Sequence, residues 1–397
     1  MKPNAADLKR EACAAVDRMR EELLRLSHAI HAHPELAFEE RKACALLSDS
    51  LRGAGLEVEA GAFGLATAFS AEIGAGDAGC VAILAEYDAL PELGHACGHN
   101  IIASAGVGAG LALAALGDRL PGRVRILGTP AEERGGGKEL MARKGAFDGV
   151  DAAMMVHPAG ANLVTMPSLA CSEVDARYRG RASHASAMPE RGVNALDALV
   201  IAYQAIGALR QHIGSRERIH GIITDGGQAP NVVPDYAAGR FYVRAADAAA
   251  LDALKRRVAS CFQAGAQATG ATLELVWNEV DYLDIRFNEP LAASYRANAE
   301  ALGRSFFPME KLPAGLAGST DMGNVSHRVP SIHPMIAAAP LLCSIHHAEF
   351  ERWAGADLGD SAAIDGAKAL AMTALDFLCD PQLRERARES FERGGSR

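Results

Sequence analysis

Positive charge is in short supply in this 397-residue chain: 40 Lys and Arg stand against 49 Asp and Glu, a formal net charge of −9. No basic block offers a footprint for a polyanion, which argues against nucleic acid as a partner. Long apolar runs are also missing. None reaches the roughly 18 uncharged residues a spanning helix needs, so no membrane partner is expected. The chain opens without a basic head leading into an apolar stretch, so no secretory leader is expected either. The eight cysteines are scattered and lack the paired spacing of a structural zinc site, which reads as reduced thiols in a cytoplasm.

What is present is apolar and small. Nearly half the residues are hydrophobic, enough for a substantial core and, at this length, two domains. Helical periodicity runs from Asp7 to about Ala32, where His33-Pro34-Glu35 stops it, and again over 41–53. Val81–Tyr87, Arg123–Thr129 and Ala152–His157 read as strands, separated by helices near 101–116 and 139–144. Strands alternating with helices predict a mostly parallel α/β sheet covered on both faces. Near Ser168 the pattern changes. From Cys171 to about Leu283 it predicts four strands and two helices, an α+β unit with a four-stranded antiparallel sheet. The βα alternation resumes after Asn288 and closes in a helix over 360–378, so the second unit reads as an insertion: 169–285 between 1–168 and 286–397. The Arg- and Glu-rich tail after Asp380 reads as a solvated helix.

Chemistry gathers where strands hand over to loops. Cys97 and His99 lie in Gly94-His95-Ala96-Cys97-Gly98-His99-Asn100, and a thiolate and an imidazole together can grip a borderline-soft metal. A buried cysteine beside a structural histidine is the plain alternative. Asp88, just past a buried strand, either orients a ligand histidine or caps a turn. Glu132-Glu133 repel each other unless a cation neutralises them, so one can bind metal while the other serves as a general base. His157 and His346 add imidazole donors. Gly106-Val107-Gly108-Ala109-Gly110 imitates a dinucleotide loop but lies inside an apolar helical run. Cys97 as a covalent nucleophile is a third possibility, and it leaves the acids and the other histidines idle.

In this order the motifs resemble the M20 metallopeptidase/amidohydrolase family, from His33-Pro34-Glu35 to the closing helix. The branch they resemble holds aminoacylases, amino-acid-conjugate hydrolases and aminobenzoyl-glutamate hydrolases. The resemblance implies a di-metal, aminopeptidase-like α/β catalytic domain interrupted by an α+β dimerisation lid, in a homodimer. It implies two divalent ions per subunit, Zn²⁺ or Mn²⁺, held by Cys97, His99, Glu133, His157 and His346. Glu132 becomes the general base and Asp88 the orienting acid. In the lid, Arg181-Ala182-Ser183-His184-Ala185 resembles the family segment whose histidine stabilises an oxyanion across the dimer interface, which implies that role for His184. Asn231 matches the family's substrate-binding asparagine and Arg244 the arginine that holds the substrate carboxylate. The implied reaction is hydrolysis of small amides: N-acyl amino acids, aminobenzoyl-glutamate-like conjugates or dipeptides. A non-catalytic metal or amino-acid binder on the same fold is the rival. The branch usually has Asp-Met-Asp where this chain has Glu86-Tyr87-Asp88, and Asp where it has Asn100. With Gly318-Ser319-Thr320-Asp321, these departures point toward the aminobenzoyl-glutamate hydrolase and dipeptidase subgroup.

Overall fold

The computed structural model describes residues 4–312 and 317–395. The chain divides into two compact units. One is Met1–Pro167 with Ile285–Leu316 and Thr320–Arg397; the other is Ser168–Asp284 with Ala317–Ser319.

The first unit opens with helices α1 (Ala5–Arg18), α2 (Arg20–His31) and α3 (Arg41–Gly53). The single helix expected over 7–32 is broken at Met19, whose φ of −93° and ψ of 4° leave the helical region. Strands β1 (Val58–Ala60), β2 (Phe69–Ile73) and β3 (Cys80–Glu86) follow, then α4 (His99–Ala114) and β4 (Arg123–Thr129). Next come α5 (Gly137–Ala142), β5 (Ala152–Met154) and β6 (His157–Ala159). β3 is buried along its whole length, as a central parallel strand covered on both faces must be. In α4 every residue from His99 to Leu113 is buried, and beyond its polar first turn and Ser104 the helix is apolar on every face. Its glycines permit that fit: a Cβ on Gly106 would lie 2.7 Å from the Leu84 carbonyl oxygen, and one on Gly110 2.4 Å from Ile126.

The second unit contains β7 (Ala170–Arg179), α6 (Ala195–Leu209), β8 (Arg218–Asp225), β9 (Tyr236–Ala245), α7 (Ala248–Thr269) and β10 (Thr272–Trp277). Its sheet is antiparallel throughout, in the order β10-β7-β9-β8. Val174, Ala176 and Tyr178 alternate inward along β7, where they share a core with Leu199 of α6, Phe262 of α7 and Phe241 of β9.

The first unit then resumes with α8 (Glu289–Ala301), α9 (Met322–Ser326), β11 (Ser331–Ile332), β12 (Met335–Ala337), α10 (Ala348–Ala354), α11 (Asp357–Cys379) and α12 (Pro381–Glu392). Its main sheet runs β1-β2-β4-β3-β5-β11, antiparallel at the β1 end and parallel from β4 onward. Where one strand was expected over 152–157, the chain changes partners: β5 pairs with β11, and β6 with β12 in a separate two-stranded pair. His157 opens β6 as a result. The tail helix α12 is not solvated all round: Leu383, Ala387 and Ser390 are buried, and the Asn288 amide donates to the Ala387 carbonyl at 2.8 Å.

Candidate metal centre

The loops that follow β3 and β4, the start of α4 and the start of β6 converge at the carboxyl ends of the parallel strands, where such sheets build their sites. Two residues past β3, Asp88 is 1% exposed. One of its oxygens lies 3.1 Å from His99 Nδ1, and the other accepts the Glu133 amide N–H at 2.8 Å. A single carboxylate therefore fixes the ring of one candidate ligand and the backbone of another, leaving His99 Nε2 to face inward. Gly98, at φ +78°, makes the corner between Cys97 and α4; a Cβ there would sit 2.6 Å from Pro158. His157 donates from Nδ1 to the Pro158 carbonyl at 2.8 Å, which turns its Nε2 lone pair toward Cys97 Sγ at 3.5 Å. His346 adopts φ +62°, and its Nε2 lies 3.3 Å from the same sulfur and 3.4 Å from Glu133 Oε1. His347 faces another way: its Nδ1 accepts the Glu349 N–H and caps α10.

These atoms form two sets of three donors that share one thiol: Cys97, His99 and His157; and Cys97, Glu133 and His346. Within each set the donor atoms lie within 4.8 Å of one another. Glu86, His99 and Glu132 make a third such set. His99 Nε2 lies 3.0 Å from Glu86 Oε1 and 3.8 Å from Glu133 Oε1, yet none of these three buried atoms makes a directed hydrogen bond. Buried polar atoms left in this state are costly unless a cation joins them. The donors therefore fit a pair of divalent ions. Sulfur and nitrogen in the sets suit a borderline metal such as zinc, and the carboxylates also admit harder ions.

The electrostatics point the same way. Burial, reinforced by Glu86 and Glu133, holds the Glu132 carboxyl well above its ordinary range. Burial also opposes ionisation of its neighbour Glu133, but His346 and His99 outweigh it and keep that carboxyl low. The two adjacent acids are thus pushed in opposite directions, Glu132 toward holding a proton and Glu133 toward giving it up.

Three features went unread in the sequence. Lys138 is fully buried; its ammonium pairs with Glu86 and, at 2.7 Å, with Asp321, while its backbone N–H donates to the other Asp321 oxygen at 2.9 Å. His333 is also buried, with neither ring nitrogen hydrogen-bonded and its ring 5.4 Å from that of His157. Glu40 reaches the loop that carries Glu132. Lys138 follows a glycine run and His333 sits between apolar residues and a proline, while Glu40 lies in the charged run Glu39-Glu40-Arg41-Lys42 that reads as a solvated helix start, so none carries a pattern that marks it.

In the second unit, His184 and Asn231 lie on neighbouring segments: His184 bridges Val232, and the Ala185 N–H donates to the Asn231 carbonyl. His184 is exposed, and its Nδ1 accepts the Ala187 N–H at 3.2 Å, so the ring proton sits on Nε2, free to donate. Arg244 lies at the far end of β9, where its guanidinium donates to Ser319 Oγ at 2.7 Å and stacks over Tyr242. At about 3.3 Å per residue, the run from Tyr236 to Arg244 covers roughly 26 Å. The unit thus brings the His184 and Asn231 segments together, while Arg244 lies near the other end of the strand that follows them.

Residues 82–375 match the profile of Peptidase family M20/M25/M40. The chain belongs to this family. An Xaa-Arg dipeptidase of Mus musculus is 41% identical over 399 residues, covering 97% of this chain and 92% of its own length. A p-aminobenzoyl-glutamate hydrolase polypeptide of Escherichia coli (strain K12) is 34% identical over 281 residues, covering 66% of this chain and 58% of its own. The crystal structure of an aminobenzoyl-glutamate utilization protein from Klebsiella pneumoniae superposes with a TM-score of 0.72 at 20% identity, covering 91% of this chain and 97% of its own. A dinuclear metal-binding M20 peptidase from Bacillus subtilis gives 0.69 at 22%, covering 91% and 99%. At such identities the two structures establish the fold. As an M20 member this protein is a metal-dependent amidohydrolase that uses divalent metal.

Proposed function

We propose that this M20 enzyme hydrolyses dipeptides or N-acyl amino acids and releases an amino acid with a free carboxylate. The observation that carries the reading is the pair of donor sets sharing Cys97, with the buried Glu132 beside them. Cys97, His99 and His157 would hold one ion, and Cys97, Glu133 and His346 the other, zinc or manganese being the candidates. When bound, the ions supply Lewis acidity to the substrate carbonyl and make water easier to deprotonate. Glu132 takes a proton from that water as its oxygen bonds to the amide carbon. Once the carbon–nitrogen bond breaks, Glu132 returns the proton to the departing amine. Asp88 keeps His99 and the Glu133 backbone in place through both transfers.

His184 is proposed to donate from Nε2–H to the developing oxyanion of the partner subunit in a homodimer, with Asn231 beside it. An oxyanion donor of this kind is worth about 3 kcal/mol. The position of Arg244 near the end of β9 remote from the Asn231–Pro234 segment is in keeping with this division of labour. Arg244 would grip the carboxylate of the leaving amino acid through its guanidinium fork. Among substrates, the name of the mouse relative favours dipeptides. All eight cysteines are unpaired, which supports a reducing, cytoplasmic setting. Among the described residues no helix is long and apolar enough to cross a membrane.

The test is a panel of dipeptides, N-acyl amino acids and aminobenzoyl-glutamate assayed with Zn²⁺ or Mn²⁺ and after chelation. Chelation should abolish turnover and added metal restore it. Glu132→Ala should keep its metal and lose about 10²- to 10⁴-fold in kcat. A thioester trapped on Cys97 would replace this mechanism with nucleophilic catalysis, and metal binding without turnover of any amide would favour the binding-protein reading.

A further inference from the structure

Six non-glycine residues among those described adopt positive φ, and two of them, Phe38 at 64° and Ala131 at 62°, meet at one side chain. That side chain is Glu40. It occupies the N-cap position of α3 yet makes no capping bond; Glu35 caps the helix instead, accepting the Lys42 and Ala43 N–H groups at 2.9 and 3.0 Å. Relieved of that duty, the Glu40 carboxylate is fully buried, and its Oε1 accepts both the Phe38 and the Ala131 N–H groups at 2.9 Å. Ala131 is fully buried and immediately precedes Glu132. Its carbonyl accepts the Gly136 N–H at 3.0 Å, closing the loop on itself. At the other end of this loop the Phe38 ring covers Gly135, where a Cβ would come within 2.4 Å of it.

A left-handed alanine costs about 1–2 kcal/mol, and such strain persists only where the surroundings impose it. We propose that Glu40 is a positioning residue for catalysis: its carboxylate clamps Ala131 in the left-handed conformation that aims Glu132, while Phe38 secures the far side of the loop. The inference rests on Glu132 being the general base. The clamp touches neither substrate nor donor atoms, so losing it should leave metal content intact and act on kcat.

Glu40→Leu removes the acceptor while roughly keeping the buried volume. Its kcat should fall on the order of 10- to 100-fold, as a misplaced catalytic group does, with KM and metal stoichiometry little changed. Glu40→Gln, whose amide oxygen can accept both N–H groups, should recover most of the rate. Adding Ala131→Gly to Glu40→Leu should also recover part of it, because glycine adopts positive φ without strain. A merely structural Glu40 would not be rescued by a change at residue 131. Normal kcat in Glu40→Leu, or no rescue by Ala131→Gly in a folded double variant, overturns the proposal. A readout independent of turnover, and of Glu40→Leu folding, is urea unfolding of Ala131→Gly alone. Stored strain predicts a higher midpoint for the variant, and a lower midpoint overturns the clamp. If wild-type protein hydrolyses no amide while this midpoint rises, the functional reading fails and the clamp geometry stands.

Discussion

Lys138 is the residue on which the charge balance beneath the centre turns. Burial works against its ammonium, but Asp321 and Glu86 outweigh it. Asp321 is itself pushed up to about 6 by burial despite the lysine. Lys138→Met removes the ammonium that Glu86 and Asp321 share and leaves two buried carboxylates without it. Breaking such a buried pair typically costs about 3–5 kcal/mol, which urea unfolding at pH 7 should show. Adding Glu86→Gln and Asp321→Asn should return much of that stability. Glu40 gives a pH signature of opposite sense to an ion-paired acid. Burial raises its carboxyl from 4.5 to about 7, so between those values the folded protein keeps a proton that the unfolded chain has lost. Stability from this group is full below 4.5 and is lost as pH rises through 7. The stability of wild type relative to Glu40→Gln should therefore decline between pH 5 and pH 8 in parallel urea titrations.

At the scale of elements, two helix glycines should respond in opposite directions to the same substitution. Gly106 of α4 lies against β3, and Gly106→Ala would press a methyl onto the Leu84 carbonyl. Overpacking of this kind should cost about 1–3 kcal/mol. Gly207 of α6 is exposed, with open space where a Cβ would go. Gly207→Ala should raise stability by about 0.5–1 kcal/mol, because alanine loses less backbone freedom on entering a helix. Thermal unfolding of the two variants compares them directly. The same contact explains the sequence reading. The glycines of 106–110 imitate a nucleotide loop only until the apolar run around them is recognised as a helix. β2 went unread because it is short and half-wet: Phe69 and Ala71 face inward, while Glu72 faces Arg123 and Arg125 of β4. The partner change between β5 and β6 was equally silent, since a continuous apolar run does not say which strand it will join.

For the whole molecule, the proposed division of roles between two subunits makes a mixing prediction. His184→Ala and Glu132→Ala proteins should each be nearly inactive. Mixed in equal amounts and allowed to exchange, half the dimers become heterodimers, each with one doubly defective site and one intact site. Activity should return to roughly a quarter of wild type in a symmetric dimer. If mass tagging confirms exchange and no activity returns, His184 acts within its own subunit or not at all.

Sequence order alone determined the α/β class with its separate antiparallel unit and the membership of the M20 family. It did so because ligand-type residues at strand ends and the period of apolar burial are local properties, written within a few residues. Cys97, His99 and the Glu132-Glu133 pair were legible for that reason. Tertiary structure decided the rest. Only in three dimensions does Cys97 become the sulfur common to two donor sets, and only there do Glu86, Lys138 and Asp321, drawn from three distant segments, balance one another. Glu40 is separated from Ala131 by 91 positions, and a hydrogen bond across that span leaves no mark on composition or period. Long-range contacts between unlike residues are fixed by packing, and packing is what the linear pattern does not encode position by position.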